Sequence, residues 1–242
     1  MKLGLIGGSG LYEFGALKDV ENRRVVTPWG EPSAVLTCGR LSDHEIVFLP
    51  RHGPSHRIPP HLINYRANIG ALHQLGVSHV VASTAVGGIG PATGEIVIPH
   101  QLIDYTYGRE HTFSDGTQSQ PKHIDFSQPY DEDLRSKLAL AAEACEVNVR
   151  RHGVYGATQG PRLETAAEIN RLERDGCTLV GMTGMPEAAL ARELGLPYAN
   201  LSLVVNAAAG RGERTITMED IEQELTRGIR TIRTIIEQML SG

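Results

Sequence analysis

Cysteine is scarce in this chain, with three in 242 residues, and tryptophan occurs once. Cys38, Cys145 and Cys177 are odd in number, widely separated and never in a C-x-x-C pair. That excludes a disulfide framework and reads as reduced, mostly structural thiols of a cytoplasmic protein. Positive charge is also short: Lys and Arg total 23 against 28 Asp and Glu, a formal net charge of −5. Phosphate backbones demand a basic face, so no nucleic-acid partner is expected. No run is apolar for long enough to span a bilayer, so no membrane partner is expected either. Met1-Lys2-Leu3-Gly4-Leu5-Ile6 runs into a glycine-rich turn without the long apolar stretch of a signal peptide. A dinucleotide fingerprint is missing too. Counting from Gly8, Ser9-Gly10-Leu11-Tyr12 leads to Glu13 where the third glycine would stand.

What is present is length enough for a sizeable core, with strand-like and helix-like segments in alternation. Without internal repeat or linker, residues 1–242 read as one α/β domain, a central mixed sheet flanked by helices. Leu3–Ile6, Glu45–Leu49, His79–Ala82, Glu95–Ile98, Val154–Thr158, Thr178–Met182 and Leu201–Val205 are the expected strands. Helices are expected over Leu62–Leu75, Asp131–Ala144, Glu164–Arg174 and Pro186–Leu194. A last helix starts at the N-cap Thr217, with Ile221, Leu225, Ile229, Ile232 and Ile236 forming one apolar stripe. Tyr107–Tyr130 is polar and without period, and reads as a long loop, of a length that is usually functional or mobile.

Chemistry-bearing residues collect at strand ends, where open α/β sheets bind ligands. Gly7-Gly8-Ser9-Gly10 follows the first strand and offers N–H groups and a hydroxyl to an anion; alone, it is equally a plain tight turn. Arg51 and His52 follow the second, with a planar fork suited to phosphate, though in isolation they also fit a surface loop. Thr84, Ala85 and Thr183 stand at further strand ends, where capping is the rival explanation. Convergence on one anion is the simplest account of the set. His52, His56 and His61 do not make a metal site, because Pro54, Pro59 and Pro60 break any helix that would align them. Asn206 ends a buried run. Its amide can donate to O6 and accept from a protonated N7 of a 6-oxopurine, while the Glu164 carboxylate can accept from N1–H. Taken alone, Asn206 also fits a turn and Glu164 a helix first turn.

Gly7-Gly8-Ser9-Gly10, Arg51-His52-Gly53, Asn64-Tyr65-Arg66-Ala67-Asn68, Gly160-Pro161-Arg162 and Met182-Thr183-Gly184-Met185-Pro186-Glu187 together resemble the trimeric purine nucleoside phosphorylase and methylthioadenosine phosphorylase family. The resemblance covers nearly the whole chain. It implies that Ser9, Arg51, His52, Thr84, Ala85 and Thr183 hold inorganic phosphate, a co-substrate, and that Met182 packs on ribose. By the same resemblance, Leu163 and Glu164 belong to the nucleoside site, and His123 is donated across a homotrimer interface. Ile216, Met218 and Ile221 fall where the family places an apolar 5′ pocket.

Two departures bear on the substrate. Methylthioadenosine phosphorylases carry Asp where this chain has Asn206 and again where it has Ala208. A carboxylate accepts from the adenine amino group but faces O6 of hypoxanthine acceptor to acceptor. The expected substrate is therefore S-methyl-5′-thioinosine, cleaved by phosphate at C1′ through an oxocarbenium-like state with Asn206, Glu164 and His52 in the catalytic set. No metal or organic cofactor is expected. The rival readings are an inosine/guanosine phosphorylase, a methylthioadenosine phosphorylase, a nicotinamide-dependent oxidoreductase and a non-catalytic nucleoside-binding module.

Overall fold

The computed structural model describes residues 1–7, 17–116, 121–212 and 217–242. Its strands are β1 (Lys2–Gly7), β2 (Lys18–Arg23), β3 (Leu36–Leu41), β4 (His44–Pro50), β5 (His79–Gly88), β6 (Ile96–Val97), β7 (Gln101–Asp104), β8 (Val149–Arg150), β9 (Val154–Ala157), β10 (Leu179–Gly181) and β11 (Tyr198–Ala207). Five helices accompany them among the described residues: α1 (Tyr65–Gln74), α2 (Glu132–Ala144), α3 (Ala166–Arg174), α4 (Glu187–Glu193) and α5 (Met218–Ser241).

All the strands join one mixed sheet in the order β2-β3-β4-β1-β5-β10-β9-β7, with β11 pairing β5 and β6, and β6 pairing β8. The inner strands are buried on both faces, so they read as continuous apolar runs. In β11, Tyr198 and Val204 join the cluster that holds Ile69 and Leu72 of α1 and Ala188 and Leu190 of α4. Ala199, Leu201, Leu203 and Val205 face a second cluster, with Leu134 and Leu138 of α2 and Ile232, Ile235 and Ile236 of α5. Each fully buried aliphatic side chain of this kind contributes roughly 1.5–3 kcal/mol.

Local chemistry fixes the helix ends. Asn64 caps α1 by accepting from Ala67 N–H at 3.0 Å, and Gly76 takes φ +72 just past its end. Asp131 caps α2, Thr165 and Glu168 form a capping box on α3, and Thr217 caps α5.

Several expectations are corrected. The helix expected from Leu62 starts at Tyr65; Leu62 ends a short 3₁₀ turn, Pro60–Leu62, and is exposed. Glu164 precedes the Thr165 cap instead of lying in the first turn of α3. The strand from His79 continues through Gly88, which puts Thr84 and Ala85 inside it and not at its end. Asn206 likewise lies within β11. Strands β2, β3, β7 and β8 were not expected. β2 is exposed along its whole length and has no apolar alternation to betray it; pairing with β3 holds it.

Candidate active site

A break in the pairing of β5 opens the site. β5 pairs with β1 as far as Ala82 and with β10 at Gly87 and Gly88. Val80 N–H goes to Pro197 on the β11 side, and Ile89 N–H goes to Thr178 on the β10 side. Backbone groups alternate along a strand, so the odd-numbered residues of β5 face the β1/β10 edge. Between Ala82 and Gly87 no described strand occupies that edge, and Ala85, the one exposed residue of β5, turns its N–H into the opening. The resulting cavity has a volume of about 460 Å³.

One end of the cavity is suited to an anion. Arg51, 1% exposed, spends its fork on Glu187 rather than on the cavity: Nε donates to Oε2 at 2.7 Å and Nη2 to Oε1 at 2.9 Å. Nη1 donates to the Ser83 carbonyl at 3.1 Å, and Tyr198 adds its hydroxyl to Glu187 at 2.8 Å. Burial works against the Arg51 charge, but the Glu187 carboxylate outweighs it and holds the guanidinium's pKa above its ordinary value. Arg51 thus lines the cavity wall with its charge balanced by Glu187 and with only its remaining N–H groups to offer.

His52 Nδ1–H donates to the Ile58 carbonyl at 2.8 Å, since a carbonyl only accepts. Burial, then the charge of Arg51, pushes its pKa down to about 4. At neutral pH the ring is uncharged and its Nε2 is an acceptor, suited to a phosphate that still carries a proton. Thr183 N–H donates to the Tyr155 hydroxyl at 3.4 Å. The Thr84 hydroxyl donates to Asn200 Oδ1 at 2.9 Å, so it must turn to donate to an anion. Asn200 Nδ2 is buried with no partner.

The other end is suited to a purine edge. A bulge at Val204/Asn206 shifts the β11 register against β5 and re-aims the strand end beside the cavity. Asn206 Nδ2 donates to the Ala207 carbonyl at 2.7 Å, leaving one N–H and the amide oxygen for a ligand. Glu164 Oε1 accepts from the Thr158 hydroxyl at 2.6 Å, which fixes the carboxylate and leaves Oε2 as an acceptor. Ala208, Leu163 and Met182 also line the cavity. A third wall is apolar: Met218, Ile221 and Leu225 follow one another at helical spacing along the first turns of α5, with Glu222 among them.

The cavity therefore brings together Arg51, His52, Thr84, Ala85, Thr183, Met182, Leu163, Glu164, Asn206, Ala208, Met218 and Ile221. Ser9 and Ile216 lie outside the described residues. His123 is exposed and does not line the cavity of its own chain. Sequence reasoning missed Ser83, Ile58, Glu222 and Leu225 as lining residues, and weighed His56 only as a metal ligand. The Leu225 signal was legible: it continues the Met218–Ile221 stripe by one turn. His56 packs on His52 with ring centroids 4.4 Å apart and planes tilted by 43°, a contact set by the turn between them that the spacing alone does not announce. Among the described residues no group of three or more His, Cys, Asp or Glu side chains is set to hold a metal ion.

Comparison with known proteins gives a consistent result. The model of the Phosphorylase superfamily matches residues 2–241. A "probable S-methyl-5′-thioinosine phosphorylase" of Pseudomonas syringae pv. tomato is 54% identical over 242 residues, covering 98% of each chain. A "6-oxopurine nucleoside phosphorylase" of Pyrococcus furiosus is 44% identical, covering 91% of this chain and 84% of that one. Among solved structures, methylthioadenosine phosphorylase from Schistosoma mansoni in complex with adenine superposes with a TM-score of 0.95 at 32% identity, over 100% of this chain and 91% of that one.

Proposed function

The chain belongs to the Phosphorylase superfamily, and from that premise we propose that it cleaves S-methyl-5′-thioinosine with inorganic phosphate, giving hypoxanthine and 5-methylthioribose 1-phosphate. The reaction type is that of a purine nucleoside phosphorylase, transfer of a pentosyl group. One observation carries the substrate: Asn206, Glu164 and Ala208 share a cavity with the apolar wall of Met218, Ile221 and Leu225. The amide and the carboxylate match a 6-oxopurine edge, and the wall suits a methylthio group. Relatives at 49–54% identity bear the name of that activity.

In the mechanism these residues support, phosphate lies against Arg51, His52, Ala85 N–H and Thr183, below the sugar. The C1′–N9 bond lengthens first and leaves positive charge on the ribose and negative charge on the purine. The phosphate dianion faces that cation, stabilises it and closes the new C1′–O bond. Neutral His52 takes the hydrogen bond of the phosphate P–OH group; as the ester forms, that proton passes to solvent and balances the one that water gives to N7. Asn206 meets the leaving purine, its amide oxygen accepting from N7–H as N7 gains a proton from water and its N–H donating to O6. Glu164 Oε2 accepts from N1–H. No cofactor enters this scheme.

The working assembly we propose is a homotrimer of a cytoplasmic enzyme, with His123 reaching a neighbouring subunit's 5′ pocket. Its exposure, away from its own cavity, supports that reading. A second substrate class, inosine and guanosine, is favoured by one feature: Glu222 in the otherwise apolar wall can accept from a 5′-hydroxyl. Purified protein incubated with phosphate and, separately, methylthioinosine, inosine and methylthioadenosine tests the proposal. Phosphate-dependent hypoxanthine release, highest kcat/KM for methylthioinosine, is expected. Preferred release of adenine overturns the base assignment, and inosine as the better substrate overturns the 5′ assignment.

A further inference from the structure

We propose that Arg109 is a positioning residue that locks the base-binding and phosphate-binding edges of the cavity at a fixed separation. Arg109 lies in the irregular segment after β7, outside the cavity lining. Its guanidinium reaches two chain segments at once. Toward the end of β9, Nε donates to Gln159 Oε1 at 3.1 Å, and Nη2 donates to the Gln159 carbonyl at 2.8 Å and the Thr158 carbonyl at 3.2 Å. Toward the link between β10 and α4, Nη1 donates to the Met182 carbonyl at 2.8 Å and the Met185 carbonyl at 2.6 Å. Nη1 also lies 3.2 Å from the Tyr65 hydroxyl, and the guanidinium carbon sits 5.5 Å from the centre of that ring.

Each segment carries site residues. Thr158 holds Glu164 through its own hydroxyl, so the first segment sets the purine edge. The second contains Met182 and Thr183, at the sugar and phosphate. Four backbone carbonyls, at Thr158, Gln159, Met182 and Met185, converge with their negative ends together. Only a group with several donors in one plane satisfies carbonyls from both segments at once, and among side chains that is a guanidinium. An ammonium is a single point with three donors and cannot span them. Among the described residues no carboxylate forms an ion pair with Arg109, so its charge is committed to these carbonyls. The β9–β10 ladder already ties the segments as far as Thr158 N–H, which donates to the Gly181 carbonyl at 2.8 Å. Beyond that point the Arg109 clamp holds Gln159 against Met182 and Met185, and without it these ends can shift. A shift of about 1 Å at a reacting centre costs about a hundredfold in rate.

The inference rests on the function proposed above, and wild-type turnover of methylthioinosine establishes that basis independently. The test compares wild type, Arg109→Ala and Arg109→Lys, each normalised to its folded fraction at the assay temperature by circular dichroism. Hypoxanthine and phosphate binding are measured separately by calorimetry, and kcat/KM with and without added guanidinium ion. For both folded variants we expect kcat/KM to fall by about tenfold or more, both ligands to bind more weakly, and guanidinium to restore part of the activity of Arg109→Ala but not of Arg109→Lys. Wild-type constants in the folded fraction of either variant overturn the proposal. So does weakening of one ligand alone, or a loss that guanidinium leaves untouched in a folded Arg109→Ala protein.

Discussion

Glu187 grips Arg51 in the protein interior, with both side chains at or below 1% exposure and two parallel hydrogen bonds between them. The pair joins the first turn of α4 to the loop after β4, far apart in sequence and adjacent at the anion end of the cavity. Removing the carboxylate leaves a buried guanidinium without its counter-charge, at a cost of about 3–5 kcal/mol. Glu187→Ala is therefore expected to lower the urea midpoint by that equivalent and to raise the phosphate KM of whatever folds. The double variant Arg51→Met/Glu187→Leu should be the more stable of the two, though inactive. A Glu187→Ala protein within about 1 kcal/mol of wild type would show that the pair carries little of the structure.

The proposed base choice is carried by Asn206 and Ala208, which line one cavity. Replacing Asn206 by Asp puts a carboxylate against O6, and adding Ala208→Asp supplies a second acceptor for an exocyclic amino group. An unmet or repelled buried partner costs ~1–3 kcal/mol, so the ratio of kcat/KM for methylthioadenosine over methylthioinosine should rise by roughly 5–150-fold. Steady-state kinetics on the two substrates decides it. An unchanged ratio in the folded double variant sinks the assignment of this edge to the purine.

Periodicity made the strand–helix alternation legible, and at the last helix also the N-cap Thr217, because capping and amphipathic spacing are local. The cap Asn64 was not legible, because the apolar Leu62 extended the expected helix past it. β2 escaped because only its partner strand makes it a strand. Thr84 and Ala85 read as strand-end residues, yet they line the cavity from inside β5. The opening beside them arises where β5 exchanges β1 for β10, a non-local event. The use of Arg51's fork by Glu187 was invisible for the same reason: nothing in either local sequence announces a partner 136 positions away.

Gly160 lies against Met182, a lining residue of the cavity. It takes φ +61, a conformation that L side chains rarely adopt, and a Cβ there would run into the Met182 side chain. Gly160→Ala combines backbone strain with displacement of Met182, and is expected to cost about 1–3 kcal/mol and to depress kcat more than it raises the phosphate KM. Adding Met182→Ala removes the clash but not the strain, so it should restore only part of the stability. Full recovery in the double variant, by thermal denaturation, would show that φ at this position is immaterial.

In the free protein the His52 ring is held neutral at neutral pH. Its pKa falls from 6.5 to about 4 on folding, through burial, then the Arg51 charge, with the His56 ring beside it adding to the effect. Between those values the unfolded chain binds a proton that the folded protein refuses. Stability from this group is thus present above pH 6.5 and lost as pH falls toward 4. The stability difference between wild type and His52→Gln should shift in favour of wild type as pH rises through that window, because the variant lacks the titration. A proton NMR titration of the His52 ring in phosphate-free buffer should give its midpoint near 4. A midpoint at the ordinary histidine value, together with a pH-independent difference between the two proteins, would mean that the ring is not held neutral. The acceptor role assigned to its Nε2 toward the phosphate P–OH would then fail.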